Sequence, residues 1–259
     1  MAIIKKFRIT NFKSKKPLIS LKNISLSFRK NQLILDNISL DISKGQVLGL
    51  LGPNGAGKSS IMNIITGLIK PNFGSVNIQD ININKYPIYE RTKKFHISLV
   101  PQIGGYFASL STEENLAAVG EILIEDKDKR KLKIEELISK FELDGVRKVE
   151  AKFLSGGMKR RLVISMSLLG EPKILLMDEP LAALDPQTIQ MLQNIIVTLQ
   201  TEFNLTIILT DHQARDLLVV CDKAVILSNS KIVASGTPNE LMNDERAHEH
   251  YFGKNFKFK

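Results

Sequence analysis

The sequence predicts an α/β protein in which helices cover a mostly parallel sheet. Helical patterns separate several short apolar segments that have the length of buried strands. These segments are 46–51, 97–100, 173–177, 205–209 and 224–227. Residues 20–40 instead alternate apolar and polar side chains, and this alternation predicts an antiparallel sheet at the start of the chain.

One helix and a largely helical insertion complete the pattern. The helix is predicted over 60–68, where Gly67 and Pro71 supply the usual stop signals. Between about residues 103–172 the sequence becomes helical and more charged. We expect the charged run 127–133 to form a solvated helix face, because charge runs usually do.

The composition suits one large folded domain. Hydrophobic residues make up 43% of the 259 positions, which is ordinary for a globular protein. A spanning helix needs roughly 18 consecutive apolar residues, and the longest apolar runs here are far shorter. The start of the chain has no apolar signal-peptide core, so we expect a cytoplasmic protein.

The single cysteine, Cys221, follows an apolar run and is predicted to be a buried packing residue rather than a reactive thiol.

The net charge of +9 is concentrated at one end of the sequence. Residues 1–30 contain nine basic and no acidic side chains. A nucleic-acid-binding surface more usually distributes its lysines and arginines over the folded domain, so we expect no nucleic-acid partner. A solvated tail is the simplest interpretation, and attraction to an anionic membrane surface is the alternative.

The segment 52–59 reads Gly-Pro-Asn-Gly-Ala-Gly-Lys-Ser and matches a phosphate-binding loop. It lies between a predicted strand and a predicted helix, which is the context that this motif requires. Its glycines would let backbone amides surround a phosphate. Lys58 would add charge for the β and γ phosphates, and the Ser59 hydroxyl would ligate Mg²⁺. The predicted nucleotide contacts here are Gly52, Pro53, Asn54, Gly55, Ala56, Gly57, Lys58, Ser59 and Ser60.

Two carboxylates follow the strand predicted at 173–177. Asp178 and Glu179 would stand at the carboxyl edge of the sheet, beside the phosphate loop. Asp178 could hold Mg²⁺ through water, and Glu179 could act as the general base for the attacking water. The structural alternative is a pair of capping acids before the turn at Pro180.

The tetrapeptide Leu-Ser-Gly-Gly at 154–157 lies at the start of a helical stretch, 23 residues before Asp178. By itself it could be a serine-capped helix. Together with the elements above it resembles the signature of the ATP-binding cassette (ABC) transporter ATPases. The other positions that match this family are Gln102, Asp185 in the Ala-Leu-Asp run 183–185, His212, and Phe28 as the aromatic that stacks on adenine.

The resemblance implies an ATPase that binds ATP and Mg²⁺ between two copies of itself. Ser155, Gly156 and Gly157 of one chain would complete the γ-phosphate site of the other. Gln102 would sense Mg²⁺ as a further ligand and connect the site to the helical region. His212 would contact the γ phosphate and the attacking water. The family fold has a RecA-like core with the phosphate loop, an antiparallel β subdomain and a helical subdomain.

The last third of the chain indicates which group of ABC transporter ATPases the sequence resembles most. The runs 210–216, 236–238 and 251–256 are similar to the ATPases of lipopolysaccharide export systems. The ATPases of branched-chain amino acid importers share much of the cassette and are the alternative. Either resemblance implies a peripheral protein at the cytoplasmic face of the inner membrane, partnered with integral transporter subunits.

The docking site for those membrane subunits is expected near Phe107. In the export family an aromatic residue and an arginine follow the glutamine loop and line the groove for a coupling helix. Phe107 matches the aromatic, but Ala108 replaces the arginine, and Met158 stands where the family has Glu or Gln. An inward-packing Phe107 is the alternative.

These observations divide the chain into a basic N-terminal extension (1–19), an ABC ATPase domain (20–245) with its helical subdomain at about 103–172, and an aromatic tail (246–259). The tail contains Tyr251, Phe252, Phe256 and Phe258. Such aromatic density predicts a docked tail with a regulatory or dimer-supporting role, placed on its own domain or across the dimer. Plain packing on its own domain and disorder are the alternatives.

Other function classes explain fewer of these motifs. A soluble cassette protein acting on ribosomes or DNA would usually carry two cassettes or a long coiled coil, and neither pattern is present. A nucleotide kinase or GTPase would leave the signature tetrapeptide and His212 without a role.

Overall fold

The computed structural model describes residues 16–29 and 32–253. Most of the proposed N-terminal extension (1–15) and the end of the proposed tail (254–259, with Phe256 and Phe258) lie outside the described residues. Within these ranges the structure is α/β, as predicted.

Strands build two sheets in the described part of the chain. The strands are β1 (Ile19–Arg29), β2 (Gln32–Ile42), β3 (Val47–Leu51), β4 (Phe73–Ile78), β5 (Ile81–Asn82), β6 (Ile97–Val100), β7 (Ile174–Met177), β8 (Thr206–Thr210), β9 (Lys223–Ser228) and β10 (Lys231–Gly236). The smaller sheet has the order β2-β1-β4-β5 and is antiparallel. The larger sheet has the order β10-β9-β3-β8-β7-β6, and all its pairings are parallel except that of β10 with β9.

Helices surround the larger sheet. They are α1 (Lys58–Thr66), α2 (Ile88–Phe95), α3 (Thr112–Leu123), α4 (Lys127–Lys140), α5 (Gly156–Leu168), α6 (Pro186–Thr201), α7 (Ala214–Val220), α8 (Pro238–Met242), α9 (Glu245–Ala247) and a final π-helical turn (His248–Phe252). Two short 3-10 helices, Asp144–Val146 and Ala151–Phe153, lie between α4 and α5. None of the helices in 16–29 and 32–253 is long and apolar enough to cross a membrane.

Burial of both faces of the larger sheet explains why its central strands appear in the sequence as continuous apolar runs. In β3, Val47 and Leu51 pack with the core that includes α3 to α7, whereas Leu48 and Leu50 pack with α1 and the small sheet. Both faces of the larger sheet are therefore covered, as is usual for parallel sheets. Cys221 is 1% exposed, in agreement with its predicted packing role.

The predicted central strands agree with the structure to within two residues, but several elements were missed. β4 was missed because its first residues, Phe73 and Gly74, are exposed and a glycine weakens a strand pattern. Its pairing with β1 is a long-range contact that a local pattern does not reveal. α2 and β10 were also absent from the prediction. α1 begins at Lys58, two residues earlier than predicted, and ends at Thr66, where Gly67 caps it with a φ of 88°.

The helical region consists of α3, α4 and α5. Side-chain caps start each of these helices: Ser111 forms a capping box with Glu114, Asp126 caps α4, and Ser155 caps α5. In α4 the apolar side chains at 134, 137 and 138 are buried. The run 127–133 is exposed or half-exposed, so the solvated face predicted for it is confirmed.

Candidate functional site

The phosphate-binding motif forms the turn between β3 and α1. Gly52 has a φ of 147°, and a Cβ there would lie 2.3 Å from the carbonyl oxygen of Leu227. Gly57 caps α1 with a φ of 100°, and a Cβ there would lie 2.5 Å from the Leu35 side chain. Residues with a side chain are therefore excluded at both ends of the turn. Gly57, Lys58, Ser59 and Ser60 at the start of α1 line a cleft, and the N-terminus of a helix favours anions.

Lys58 lies folded back across this loop. Its ammonium donates to the carbonyl oxygens of Gly52 at 2.7 Å and of Pro53 at 3.0 Å, and the residue is 6% exposed. Burial lowers the pKa of Lys58, although the nearby carboxylates of Glu179, Asp178 and Asp211 act in the opposite direction. The positive charge is thus held inside the loop and beside the acidic side of the cleft.

Ser59 and Asp178 meet at the end of β7. The Ser59 hydroxyl donates to Asp178 Oδ1 at 3.2 Å, and the Thr210 hydroxyl donates to the same oxygen at 2.5 Å. Hydroxyl and carboxylate oxygens are ligands that suit a hard divalent cation. Thr210 was not among the predicted site residues. Its signal was a polar residue at the carboxyl end of β8, directly after the apolar run 207–209.

Glu179 follows Asp178 in a strained conformation, with a φ of 45°. Its N–H donates to the Thr210 hydroxyl at 2.9 Å. Its carboxylate accepts a hydrogen bond from Gln102 Nε2 at 2.6 Å, and His212 Nδ1 lies 3.6 Å from the same oxygen. The structure therefore brings together Gln102, Glu179 and His212 from distant parts of the sequence. Backbone strain such as that of Glu179 is common at functional sites.

Asp211 anchors the turn that presents His212. Asp211 is fully buried, and it accepts hydrogen bonds from the N–H groups of Gln213 at 2.9 Å and Leu181 at 3.2 Å. Burial raises its pKa. Sequence reasoning gave Asp211 no role, because its buried position depends on the packing of β8 against the turn after β7.

These groups line one cleft of about 500 Å³. The cleft lining includes Phe28, which is 59% exposed and available for stacking. The lining residues are Phe28, Ile34, Asn54, Gly55, Gly57, Lys58, Ser59, Ser60, Gln102, Glu179 and His212. Gly52, Pro53 and Ala56 form the rest of the loop, and Asp178 lies behind Ser59.

The signature tetrapeptide does not line this cleft in the single chain. Ser155 caps α5 by accepting a hydrogen bond from the Met158 N–H at 3.3 Å. Ser155 and Gly156 are exposed, and Gly157 is half-buried against Thr188. Asp185 caps α6 and accepts from the Thr188 hydroxyl at 2.6 Å. These four predicted contacts therefore form a separate surface at the starts of α5 and α6.

The region after Gln102 presents Phe107 to solvent. Phe107 is 51% exposed, which argues against the inward-packing alternative. Its main chain is fixed by Asn115, whose side chain accepts from the Phe107 N–H at 2.7 Å and donates to its carbonyl oxygen at 3.0 Å. The loop is thus held in place while about half of the surface of Phe107 remains exposed.

The end of the described chain returns to the site. The Tyr251 hydroxyl donates to the main-chain oxygen of His212 at 2.9 Å. Tyr251 and Phe252 pack against the same apolar core as α7. This contact places the described part of the predicted aromatic tail on its own domain, beside the turn that carries His212.

Comparisons with known proteins agree with this geometry. Residues 35–182 match the family described as "ABC transporter". The chain is 35% identical to the lipopolysaccharide export system ATP-binding protein LptB of Haemophilus influenzae, over 93% of this chain and 99% of that protein. It is 33% identical to LptB of Escherichia coli, over 92% of this chain and 98% of that protein.

Solved structures show the same fold. The ATP-binding cassette MJ1267 of an ABC transporter has a TM-score of 0.83 and 25% identity, over 92% of this chain and 99% of that chain. The cassette MJ0796, in a dimeric post-hydrolysis state bound to ADP and Pi, has a TM-score of 0.75 and 27% identity, over 85% of this chain and 98% of that chain. The chain therefore belongs to the ABC transporter family, as one of its nucleotide-binding, ATP-hydrolysing subunits.

Proposed function

We propose that this ATPase powers the extraction of lipopolysaccharide from the inner membrane for export to the outer membrane. The observation that carries the proposal is the similarity to LptB proteins, which extends over 98% to 99% of those relatives rather than over the cassette motifs alone. The ATPase would act at the cytoplasmic face of the inner membrane.

The cleft holds ATP in the proposed reaction. Phe28 stacks on the adenine, and the phosphate loop with Lys58 binds the phosphates. The 3.2 Å separation of the Ser59 and Asp178 oxygens fits a pair of groups that hold Mg²⁺, one directly and one through water, with Gln102 as a further ligand. When bound, Mg²⁺ neutralises charge that develops on the phosphates.

Glu179 is the general base in this proposal. It accepts the proton of the attacking water as the oxygen of that water bonds to the γ phosphorus and the bond to ADP breaks. His212 is 47% exposed and lies 3.6 Å from the Glu179 carboxylate, from where it can reach the γ phosphate. Gln102 donates to the same carboxylate oxygen at 2.6 Å, and a turn of Gln102 toward Mg²⁺ would free that oxygen to accept the proton.

A second copy of the chain completes each site. Ser155 and Gly156 are exposed at the start of α5, and Gly157 is half-buried. From there the Ser155 hydroxyl and the amides of the two glycines can donate to a γ phosphate held by the partner. Asp185 would line the same interface. The dimeric state of MJ0796 with ADP and Pi supports this arrangement for a cassette of the same fold. Hydrolysis then removes the phosphate that links the two copies, and they separate.

The membrane partners are integral inner-membrane subunits similar to LptF and LptG. A coupling helix of such a subunit docks near Phe107, because an exposed aromatic ring beside the Gln102 loop is a suitable anchor. We keep the proposed division into an extension (1–19), an ATPase domain (20–245) and a tail (246–259). The helical subdomain (about 103–172) would carry the docking site.

The test is to purify the tagged full-length chain from membranes and to identify the integral proteins that accompany it. The complex is then reconstituted with lipopolysaccharide in proteoliposomes. We expect ATP-dependent release of lipopolysaccharide, and no release with Lys58→Ala, which retains the subunits but not the phosphate contact. Recovery of branched-chain amino acid importer subunits, or an active ATPase that never moves lipopolysaccharide, would overturn the proposal.

A further inference from the structure

Arg160 lies in the second turn of α5 and joins this helix to two segments of the nucleotide cleft. Its guanidinium donates to the carbonyl oxygen of Pro101 at 2.8 Å, of Gln102 at 3.3 Å and of Glu179 at 3.0 Å. Arg160 follows Ser155 by five residues, which is about 7.5 Å along a helix axis. One side chain therefore connects the signature helix with the glutamine loop and with the turn that carries the proposed base.

The hydrogen bonds of Arg160 that the structure describes all end on main-chain oxygens. Burial lowers the pKa of Arg160, and the carboxylates of Asp211, Asp178 and Glu179 act in the opposite direction. A guanidinium presents several N–H donors in one rigid plane. This geometry allows it to hold three carbonyls at fixed relative positions, which a flexible ammonium cannot do as well.

Gln102 and Glu179 are consequently joined twice. Their side chains share the 2.6 Å hydrogen bond, and their main-chain oxygens share the guanidinium of Arg160. Glu179 adopts a φ of 45°, which non-glycine residues seldom adopt. Thr210 holds its N–H and Arg160 holds its carbonyl, so the direction of the Glu179 side chain depends on both.

We propose that Arg160 is a positioning residue through which movement of the signature helix α5 sets the position of Glu179 and of the Gln102 loop. The proposal rests on the proposed trans role of Ser155 and on Glu179 as the base. When Ser155 closes on a nucleotide held by the partner, α5 shifts, and Arg160 moves the two carbonyls with it. Hydrolysis is thereby linked to a closed dimer.

The chain supplies a matched control in the next residue of the same helix. Arg161 also donates to two main-chain oxygens, those of Phe141 at 3.0 Å and Glu142 at 3.2 Å. Those contacts lie away from the nucleotide cleft. Replacing either arginine by glutamine removes a charge and main-chain hydrogen bonds from α5, but only Arg160→Gln releases Glu179 and Gln102.

The experiment compares Arg160→Gln, Arg160→Lys and Arg161→Gln in the full-length chain assembled with its membrane subunits. A misplacement of about 1 Å at a reacting group can cost about 100-fold in rate. We expect Arg160→Gln to lower kcat at least about tenfold with ATP affinity nearly unchanged, Arg160→Lys to recover part of that loss, and Arg161→Gln to keep kcat. Arg160→Gln with wild-type kcat would overturn the proposal, as would equal losses in kcat and ATP affinity.

A double variant separates positioning from a purely structural role. If Arg160 acts through Glu179, adding Arg160→Gln to Glu179→Gln causes no further loss of turnover, whereas independent effects multiply. A multiplied loss would overturn the proposal. If Arg160→Gln does not fold, Arg160→Lys enters the same comparison. Glu179→Gln measured alone tests the proposed base, so a failure of the proposed function is recognised separately.

Discussion

Gln102 Nε2 and Glu179 Oε2 lie 2.6 Å apart although 77 positions separate the two residues in the sequence. The amide belongs to the loop after β6, which leads toward Phe107 and the helical region. The carboxylate belongs to the turn after β7. A movement of the loop therefore changes the surroundings of the proposed base directly, and this contact supports the first prediction.

Replacing Glu179 by glutamine should abolish turnover and keep nucleotide binding. Loss of a general base costs about 100-fold or more in rate, while the phosphate loop and Lys58 remain intact. We expect an ATP-bound dimer to accumulate, measured by size-exclusion chromatography with ATP. Glu202→Gln changes a surface ion pair with Lys140 and serves as the control. An ATPase rate within a few-fold of wild type would contradict the prediction.

Ser155 should act on the nucleotide of the partner chain. We expect Ser155→Ala and Lys58→Ala homodimers each to lose ATPase activity, because each lacks one half of both sites. Mixed dimers carry one site in which both halves are intact. Mixing the two folded variants should thus restore activity, with the maximum near equal amounts. If no ratio restores activity while the chains still associate, the trans role of Ser155 is wrong.

Phe107→Ala should weaken assembly with the membrane subunits. Phe107 is 51% exposed, so removal of its ring leaves little cavity in the isolated chain. Truncation of an aromatic anchor often lowers the binding free energy by about 2 kcal/mol or more. The measurement is the yield of co-purified membrane subunits, with ATP binding as the internal reference. Phe73→Ala, also strongly exposed at 73%, is the control. An unchanged yield would exclude Phe107 from the interface.

The ion pairs of Glu113 should make the helical region acid-sensitive. Hydrogen bonds from Arg147 and Lys148 lower the pKa of Glu113 from 4.5 to about 2. The stabilisation is therefore present above pH 4.5 and disappears as the pH falls toward about 2. We expect Glu113→Gln to lower the melting temperature at pH 7 and the difference from wild type to shrink in acid. The control is Glu136→Gln, in an exposed pair with Lys133, which should change the melting temperature little. If the difference between Glu113→Gln and wild type does not depend on pH, the ion pairs of Glu113 are not the source of the acid sensitivity.

The tail should support turnover through Tyr251. Burial raises the pKa of Tyr251 to about 12, so its hydroxyl stays a neutral donor to His212 at physiological pH. Tyr251→Phe removes that hydrogen bond, which contributes about 1 kcal/mol to stability. We expect ATPase activity to fall several-fold while ATP binding persists. Tyr89→Phe, at an exposed position, is the control.

Deleting residues 250–259 should impair dimer-dependent turnover or transport more strongly than Tyr251→Phe does. Wild-type activity in the truncated chain would leave the tail without a role.

Much of the fold and the cleft could be predicted because their signals are local. The central strands are buried on both faces, and this produces apolar runs that are visible in the sequence. The phosphate loop is a contiguous motif whose glycines are required at positive φ, as at Gly52 and Gly57. Asp178 and Glu179 follow a buried strand, and the carboxyl ends of parallel strands meet at one edge.

The remaining site residues were decided by tertiary structure. Thr210, Asp211 and Tyr251 reach the cleft through β8 and the last described turn, and Arg160 reaches it through α5. Apart from the position of Thr210 at the end of an apolar run in β8, no short sequence pattern distinguishes such residues from other polar residues on the same elements. They matter because buried main-chain and carboxylate groups need hydrogen-bond partners, and those partners are known only once the strands and helices have been packed together.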